Sequence, residues 1–176
     1  MQRRLNVLAA LGLALGAAFG LAGTVVEQPA LRSLFWGIDG AGLVMAACLL
    51  AVKYFRREND LVAAGFLVFA IGESVILSGA AAALSDSPPS FAAGTALWAT
   101  ALLLVSIPGE FPVLVRGVGI ASAALFAATA LLIFSGASLS PISSPLPFFA
   151  YPCLVLTFIG WIWILLRENT AMESGA

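Results

Sequence analysis

Six apolar segments of about 17–24 residues follow one another along the chain, separated by short polar or proline-containing breaks. Each segment is long enough to cross a hydrocarbon core of roughly 30 Å as a helix, because a helix rises about 1.5 Å per residue. Hydrophobic residues make up 61% of the 176 residues and charged residues 10%, and the mean hydropathy is +1.06. A soluble domain of this size could not bury so much apolar side chain. The sequence therefore predicts an all-α integral membrane bundle of six transmembrane helices.

The predicted helices cover residues 5–23, 32–54, 61–84, 91–107, 113–134 and 148–166 of a single domain that spans residues 1–176. Turn and proline signals separate them, and residues 135–147 form an uncharged loop rich in serine and proline. The first segment follows Arg3 and Arg4 and could be read as a signal peptide. Its apolar run of about 18 residues is longer than the usual signal-peptide core of about 7–15, so we interpret it as a transmembrane helix.

The distribution of Lys and Arg predicts the orientation of the bundle. With the N-terminus inside, seven of the eight basic residues fall on the inner side: Arg3, Arg4, Lys53, Arg56, Arg57, Arg116 and Arg167. Only Arg32 falls on the outer side. Because cytoplasmic loops carry an excess of Lys and Arg, both termini are expected in the cytoplasm. The pattern is typical of a multi-pass protein of a bacterial-type cytoplasmic (inner) membrane.

Composition also limits the classes of function. The chain has no histidine, which excludes His-ligated haem, His-based metal sites and Ser-His or Cys-His nucleophile pairs. Cys48 and Cys153 lack a CxxC spacing and are interpreted as buried small apolar residues. No basic run is available to bind nucleic acid. We expect no catalytic residue, no metal and no cofactor.

Two acidic residues lie inside apolar segments, Asp39 in the second and Glu73 in the third. A charged side chain at the membrane centre costs roughly 2.5–3.5 kcal/mol on insertion scales, so it requires a function or a partner. Counting along the two helices places Asp39 about 7 Å and Glu73 roughly 12 Å below the same membrane surface. Because these helices form a hairpin, we expect both carboxyls to face one pocket, as candidate proton- or ion-binding residues.

Four further residues are candidate supporting partners of the carboxyls: Arg32, Trp36, Thr95 and Thr100. Arg32 and Trp36 share a helix face with Asp39, and the threonines are polar residues of the fourth helix. A purely structural alternative stays open, in which a protonated Glu73 donates to a threonine or a helix carbonyl. In the same alternative, Asp39 forms an ion pair with Arg32. Glu73 is the better functional candidate, because it is deeper and the sequence shows no partner for it.

Small residues recur at helical spacing and predict faces at which helices pack closely. These helix-packing candidates are Gly12, Gly16, Gly20, Gly65, Gly72, Gly79, Gly119 and Ala123. In a chain so rich in Ala and Gly, we interpret them as packing seams within the bundle, in preference to a dedicated dimer motif.

The sequence favours a small proton- or cation-linked transporter or permeation protein that uses the carboxylates of the second and third helices. The alternative is a non-catalytic accessory or assembly subunit, whose small-residue faces dock on a larger membrane complex. The expected partners are the lipid bilayer and either a second copy of the chain or such a complex, and the ion or small-molecule substrate is not specified. An enzyme is least supported, because Gly37-Ile38-Asp39-Gly40 lacks the Gly-x-Gly-Asp order of aspartyl intramembrane proteases.

Overall fold

The structure, a computed structural model, describes residues 2–80 and 87–174, with the side chains of residues 2–79 and 87–171. In these ranges it contains six α-helices: α1 (Gln2–Val25), α2 (Pro29–Phe55), α3 (Asp60–Ala80), α4 (Pro88–Ser106), α5 (Val113–Phe134) and α6 (Ala150–Ser174). All six are long and apolar enough to cross a membrane. The predicted all-α fold with six transmembrane helices is confirmed, and the protein is built as a multi-pass membrane protein.

The helix borders differ most from the predicted ones at the end of α6, and α1, α2 and α4 each begin three residues earlier than predicted. α1 begins at Gln2 rather than residue 5, and α6 continues to Ser174 rather than ending near residue 166. The reason is that hydropathy marks where the lipid-facing stretch ends, whereas helical hydrogen bonds continue into polar sequence. The predicted end of the third helix near residue 84 lies outside the described residues.

The helices follow one another around a ring. Each helix packs against its neighbours in the chain, and α6 returns to pack against α1. The start of α1 and the end of α6 meet at one end of the ring, where Asn6 and Asn169 are hydrogen-bonded at 3.0 Å. We call this the terminal end, and we call the opposite end, which carries the loop of residues 135–149, the cavity end.

The ring is apolar outside and holds polar groups inside, which is the reverse of a soluble bundle. Large apolar side chains are exposed on its surface, among them Val25, Phe55, Val113, Leu114 and Leu131. Lys53 and Glu73, in contrast, are only 1% and 3% exposed. Such an outer surface is stable in hydrocarbon and would drive aggregation in water.

Glycines let three pairs of helices approach closely. A Cβ atom on Gly12 would collide with the carbonyl oxygen of Gly42, and one on Gly16 would collide with Leu43, so α1 packs tightly on α2. The glycines of α3 face α4 in the same way: Gly65, Gly72 and Gly79. On α5, a Cβ on Gly119 would collide with Ser106 of α4, and Ala123 is 1% exposed. The small-residue faces therefore lie inside the ring.

An aromatic column fills much of the ring interior between the two ends. Its members are Tyr54, Phe111, Phe66, Trp161, Phe158, Phe69, Trp98, Phe126 and Tyr151. Contacting rings have centroids 5.0 to 6.0 Å apart, in the range of favourable aromatic pairs. Trp161 belongs to this column and is 2% exposed.

A polar group that we call the terminal cluster joins α1, α2 and α6 at the terminal end: Asn6, Lys53, Arg57, Glu168 and Asn169. Glu168 Oε2 accepts hydrogen bonds from Lys53 Nζ at 2.8 Å and from Arg57 Nη2 at 3.1 Å. The Lys53 side chain is 0% exposed, so Glu168 serves as its counter-ion. The sequence analysis did not single out Glu168 for this role.

Candidate functional site

A cavity inside the ring, near the cavity end, contains both predicted carboxyls. Its volume is about 60 Å³, and since one water molecule needs about 10–15 Å³, it has room for a few waters. Side chains of α1, α2, α3, α4 and α6 line it, together with Pro141 from the loop of residues 135–149. Thr24, Ser87 and Ser90 also line it, and all three lie at helix ends, so the cavity sits in the half of the ring near the cavity end.

Asp39 reaches the cavity from α2, one helical turn after Trp36, which also lines the cavity. Its carboxyl lies against α1, where Gly20 leaves space: a Cβ there would be 3.0 Å from Asp39 Oδ2. Asp39 Oδ1 is buried and has no hydrogen-bond partner. Because Gly20 has no side chain, there is room for the Asp39 carboxylate. No described residue donates a hydrogen bond to its Oδ1 atom.

Glu73 reaches the same cavity from α3 and is 3% exposed. Gly40 of α2 leaves space for it, since a Cβ on Gly40 would be 3.1 Å from Glu73 Oε1. Glu73 Oε2 is buried without a hydrogen-bond partner, and the carboxyl interacts electrostatically with Asp39. The structure therefore brings the two acids of the hairpin into one cavity, as the depth count along α2 and α3 predicts.

The cavity contains two acidic side chains, Asp39 and Glu73, and no basic side chain from the described residues balances their charge. No Lys or Arg is among the described residues that line it. Two negative charges held close together repel each other strongly where water is scarce, because the effective dielectric constant there is low. The pair is therefore stable only when it holds a proton or a cation.

Arg32 does not neutralise Asp39. Its Nε and Nη2 atoms donate to the carbonyl oxygen of Val26 at 3.1 and 2.6 Å, and its guanidinium lies 5.9 Å from the centre of the Trp36 ring. Arg32 thus caps the C-terminal end of α1, whose last carbonyls have no helical partner. The expected ion pair with Asp39 is not formed, because the short turn after α1 brings these carbonyls within reach of Arg32.

The two threonines do not support the carboxyls either. Thr95 Oγ1 donates to the carbonyls of Phe91 and Ala92 at 2.8 and 3.1 Å. Thr100 is exposed on the outside of the ring and donates to Ala96 at 3.0 Å. Neither lines the cavity. A threonine hydroxyl on a helix without access to water donates its hydrogen bond to a backbone carbonyl of the preceding turn. It is then not available to donate to a carboxyl on another helix.

Two aromatic residues of the cavity were missed by sequence analysis. Tyr151 lines the cavity from the first turn of α6 and lies within electrostatic reach of both carboxyls. The sequence analysis did not single it out, although a tyrosine at the same end of the bundle as Asp39 was a usable signal. Trp98 also lines the cavity, and its Nε1 atom is buried without a hydrogen-bond partner. Nothing in the sequence distinguishes Trp98 from an ordinary core tryptophan.

Among the described residues, no group of three or more Cys, Asp or Glu side chains is arranged to hold a metal ion. Both cysteines are free, and their interpretation as buried residues is wrong, because Cys48 is exposed and Cys153 is half-buried. Compared with models of protein families, with curated proteins and with solved structures, the chain gives no significant match. Its function therefore has to be inferred from the chemistry of the cavity.

Proposed function

We propose that the protein is a proton- or cation-linked transporter of a bacterial-type cytoplasmic membrane, with Asp39 and Glu73 as its binding site. One observation carries the proposal: both carboxyls line one cavity, and each has a buried oxygen without a hydrogen-bond partner. Such a pair costs stability, since burial of unsatisfied polar groups is unfavourable. Ionisable groups in this position are typical of proton and ion pathways in membrane transporters.

The position of the cavity suits a site loaded from one side of the membrane. The cavity lies near one end of the ring, and the aromatic column lies between it and the terminal cluster. A cation or proton enters from the cavity end, which the positive-inside rule places outside the cell, and neutralises the carboxyls. Release on the other side then requires the column to separate, which is the alternating access expected of a carrier.

The accessory-subunit alternative receives less support from the packing. It relies on small-residue faces that are free to dock on a larger complex. In the structure, Gly16 packs against Leu43, and Ala123 is 1% exposed, so both faces are already occupied inside the ring. The transport proposal depends on groups that the ring leaves unsatisfied, and we therefore favour it.

The test is a flux measurement on purified protein in liposomes that contain a pH-sensitive dye. An imposed gradient of Na⁺, K⁺ or an organic cation is expected to drive proton movement in the wild type. The Glu73→Gln variant is expected to reduce this flux by at least about tenfold, because it removes the ionisable group from the site. Glu110→Gln is the matched control, since Glu110 is exposed outside the helices.

Two results would refute transport. One is the absence of flux with every cation tested in protein that remains monodisperse. The other is an equal flux in wild type and Glu73→Gln, confirmed with Asp39→Asn. Recovery of a stoichiometric membrane partner with a silent Glu73→Gln variant would then favour the accessory role.

A further inference from the structure

We infer that the cargo is a small organic ammonium cation, which exchanges for a proton at Asp39 and Glu73 in the cavity. The inference rests on the proposed function and adds the class of substrate. The exchange leaves the charge of the cavity unchanged: the carboxyl pair releases one proton and accepts one monovalent cation in its place. No other group has to change its charge.

The first step of the argument concerns charge. Among the described residues, the titratable groups that face the cavity are Asp39 from α2, Glu73 from α3 and Tyr151 from α6. The parts of α1 and α4 that line the cavity contribute no titratable side chain, and Arg32 is directed to the carbonyl of Val26. An occupant must therefore bring the positive charge with it.

The second step concerns the walls. Apart from the two acids, aromatic and aliphatic side chains dominate the lining, among them Trp36, Trp98, Tyr151 and Phe158. Ca²⁺ and Mg²⁺ prefer six or more oxygen ligands, and two carboxylates between apolar walls offer at most four. Aromatic rings, in contrast, attract organic cations through cation–π interactions and pack against their carbon atoms. This lining suits an ammonium group with an apolar substituent.

The third step concerns hydrogen bonds. Asp39 Oδ1 and Glu73 Oε2 are buried acceptors without donors. A primary or secondary ammonium carries at least two N–H donors and can satisfy both oxygens, whereas a quaternary ammonium has none. Trp98 Nε1 is a buried donor without an acceptor, and a water molecule or a hydroxyl group on the cargo would satisfy it. The occupant is thus defined by its N–H groups as well as by its charge.

The fourth step concerns size. The cavity volume of about 60 Å³ is less than half of the roughly 150 Å³ of an engineered protein cavity that binds benzene. The cargo should therefore contain about two to four non-hydrogen atoms. Methylammonium and ethylammonium meet this limit, and tetraethylammonium exceeds it.

The decisive experiment is a binding titration of the wild type in lipid nanodiscs, followed by tryptophan fluorescence, because Trp36 and Trp98 line the cavity. The ligands are ethylammonium, tetramethylammonium and K⁺ chloride at constant ionic strength. Ethylammonium is expected to give a saturable change, with an apparent Kd at least about tenfold lower than those of the other two, because only ethylammonium combines N–H donors with an apolar group. Affinity is expected to fall at lower pH, since protons compete for the same carboxyls.

The variants locate the site. Glu73→Gln and Asp39→Asn are each expected to weaken ethylammonium binding by at least about tenfold, and Glu110→Gln should leave it unchanged. If neither cavity variant is recovered as folded protein, the preference of the wild type for ethylammonium over tetramethylammonium and K⁺ is the test of the inference. Absence of a saturable signal, or equal affinity for ethylammonium and K⁺, would overturn the inference.

Two outcomes separate this inference from the proposed function. If Na⁺ or K⁺ drives a Glu73-dependent proton flux while ethylammonium neither binds nor competes, transport stands and the cargo class is refuted. If ethylammonium binds in a Glu73-dependent manner but no cation is transported, the ligand class stands and transport is refuted. The cavity would then be a receptor site for the same cations.

Discussion

The terminal cluster and the cavity both place a glutamate among apolar helices, and they treat it in opposite ways. Glu168 accepts hydrogen bonds from two cationic side chains, Lys53 and Arg57, and so joins α6 to α2. Glu73 has a buried oxygen without a partner, and the other carboxyl that lines its cavity is another acid, Asp39. The same residue type thus stabilises the ring at one end and remains available for a ligand at the other.

The largest expected effect that tests this comparison is the loss of the ion pair at Glu168. Glu168→Gln leaves the buried Lys53 ammonium without a counter-ion, which should lower the free energy of unfolding by about 3 kcal/mol. Unfolding in mixed micelles with increasing denaturing detergent measures this change. Glu27→Gln, the same substitution at an exposed position between α1 and α2, should leave it within about 0.5 kcal/mol.

A second variant shows whether the effect comes from the unpaired charge. Replacing Lys53 by Met together with Glu168→Gln removes both charges and should recover most of the lost stability. A Glu168→Gln variant as stable as the wild type would contradict the structural role of the terminal cluster.

The next largest effect compares two positions of α1 at which a methyl group is added, one in the close contact with α2 and one beside the cavity. Gly12→Ala directs the methyl group at the backbone carbonyl of Gly42, which cannot move aside, so we expect a loss of about 2 kcal/mol. Gly20→Ala directs it at the Asp39 carboxyl, which can rotate away. We expect a loss below about 1 kcal/mol in that case, together with a change in cation affinity.

The same unfolding assay measures both glycine variants. Gly37→Ala is the control, because nothing lies within 4 Å of the added methyl group, and a helical Gly→Ala change at an open site should stabilise by about 0.5–1 kcal/mol. If Gly12→Ala and Gly20→Ala lowered the free energy of unfolding equally, the cavity wall would be as rigid as the close contact between α1 and α2.

The smallest effect has the opposite sign. Glu73→Gln removes a repulsive acid and breaks no hydrogen bond made by a described residue, so the variant should be more stable than the wild type by about 1 kcal/mol while it loses transport. The unfolding and flux assays on one preparation measure both properties. If Glu73→Gln destabilises the protein as much as Glu168→Gln, the two glutamates have the same structural role and the comparison fails.

The fold was largely predictable because each apolar segment reports directly on a membrane span. The pairing of Asp39 with Glu73 was also predictable, since a hairpin fixes the relative depth of two residues on adjacent helices. The lengths of α1 and α6 were underestimated, because hydropathy does not record helical turns that continue into polar sequence.

Partners on helices far apart in the chain could not be predicted. Nothing in the sequence links Lys53 to Glu168 or Asn6 to Asn169, because these contacts exist only after α6 has packed against α1. The expected pair of Arg32 with Asp39 failed for a related reason. Helix spacing shows which side chains share a face, but it does not show that an unpaired carbonyl of the preceding helix is a nearer partner.

The closure of the ring between α1 and α6 has a consequence for biosynthesis. Asn6 and Lys53 are synthesised with α1 and α2, whereas their partners Asn169 and Glu168 belong to α6 and follow more than a hundred residues later. Until α6 has been made and packed, a nascent chain holds an amide and an ammonium group at the edge of the membrane without these partners, which is unfavourable. The terminal cluster is therefore completed only when α6 packs against α1 and α2.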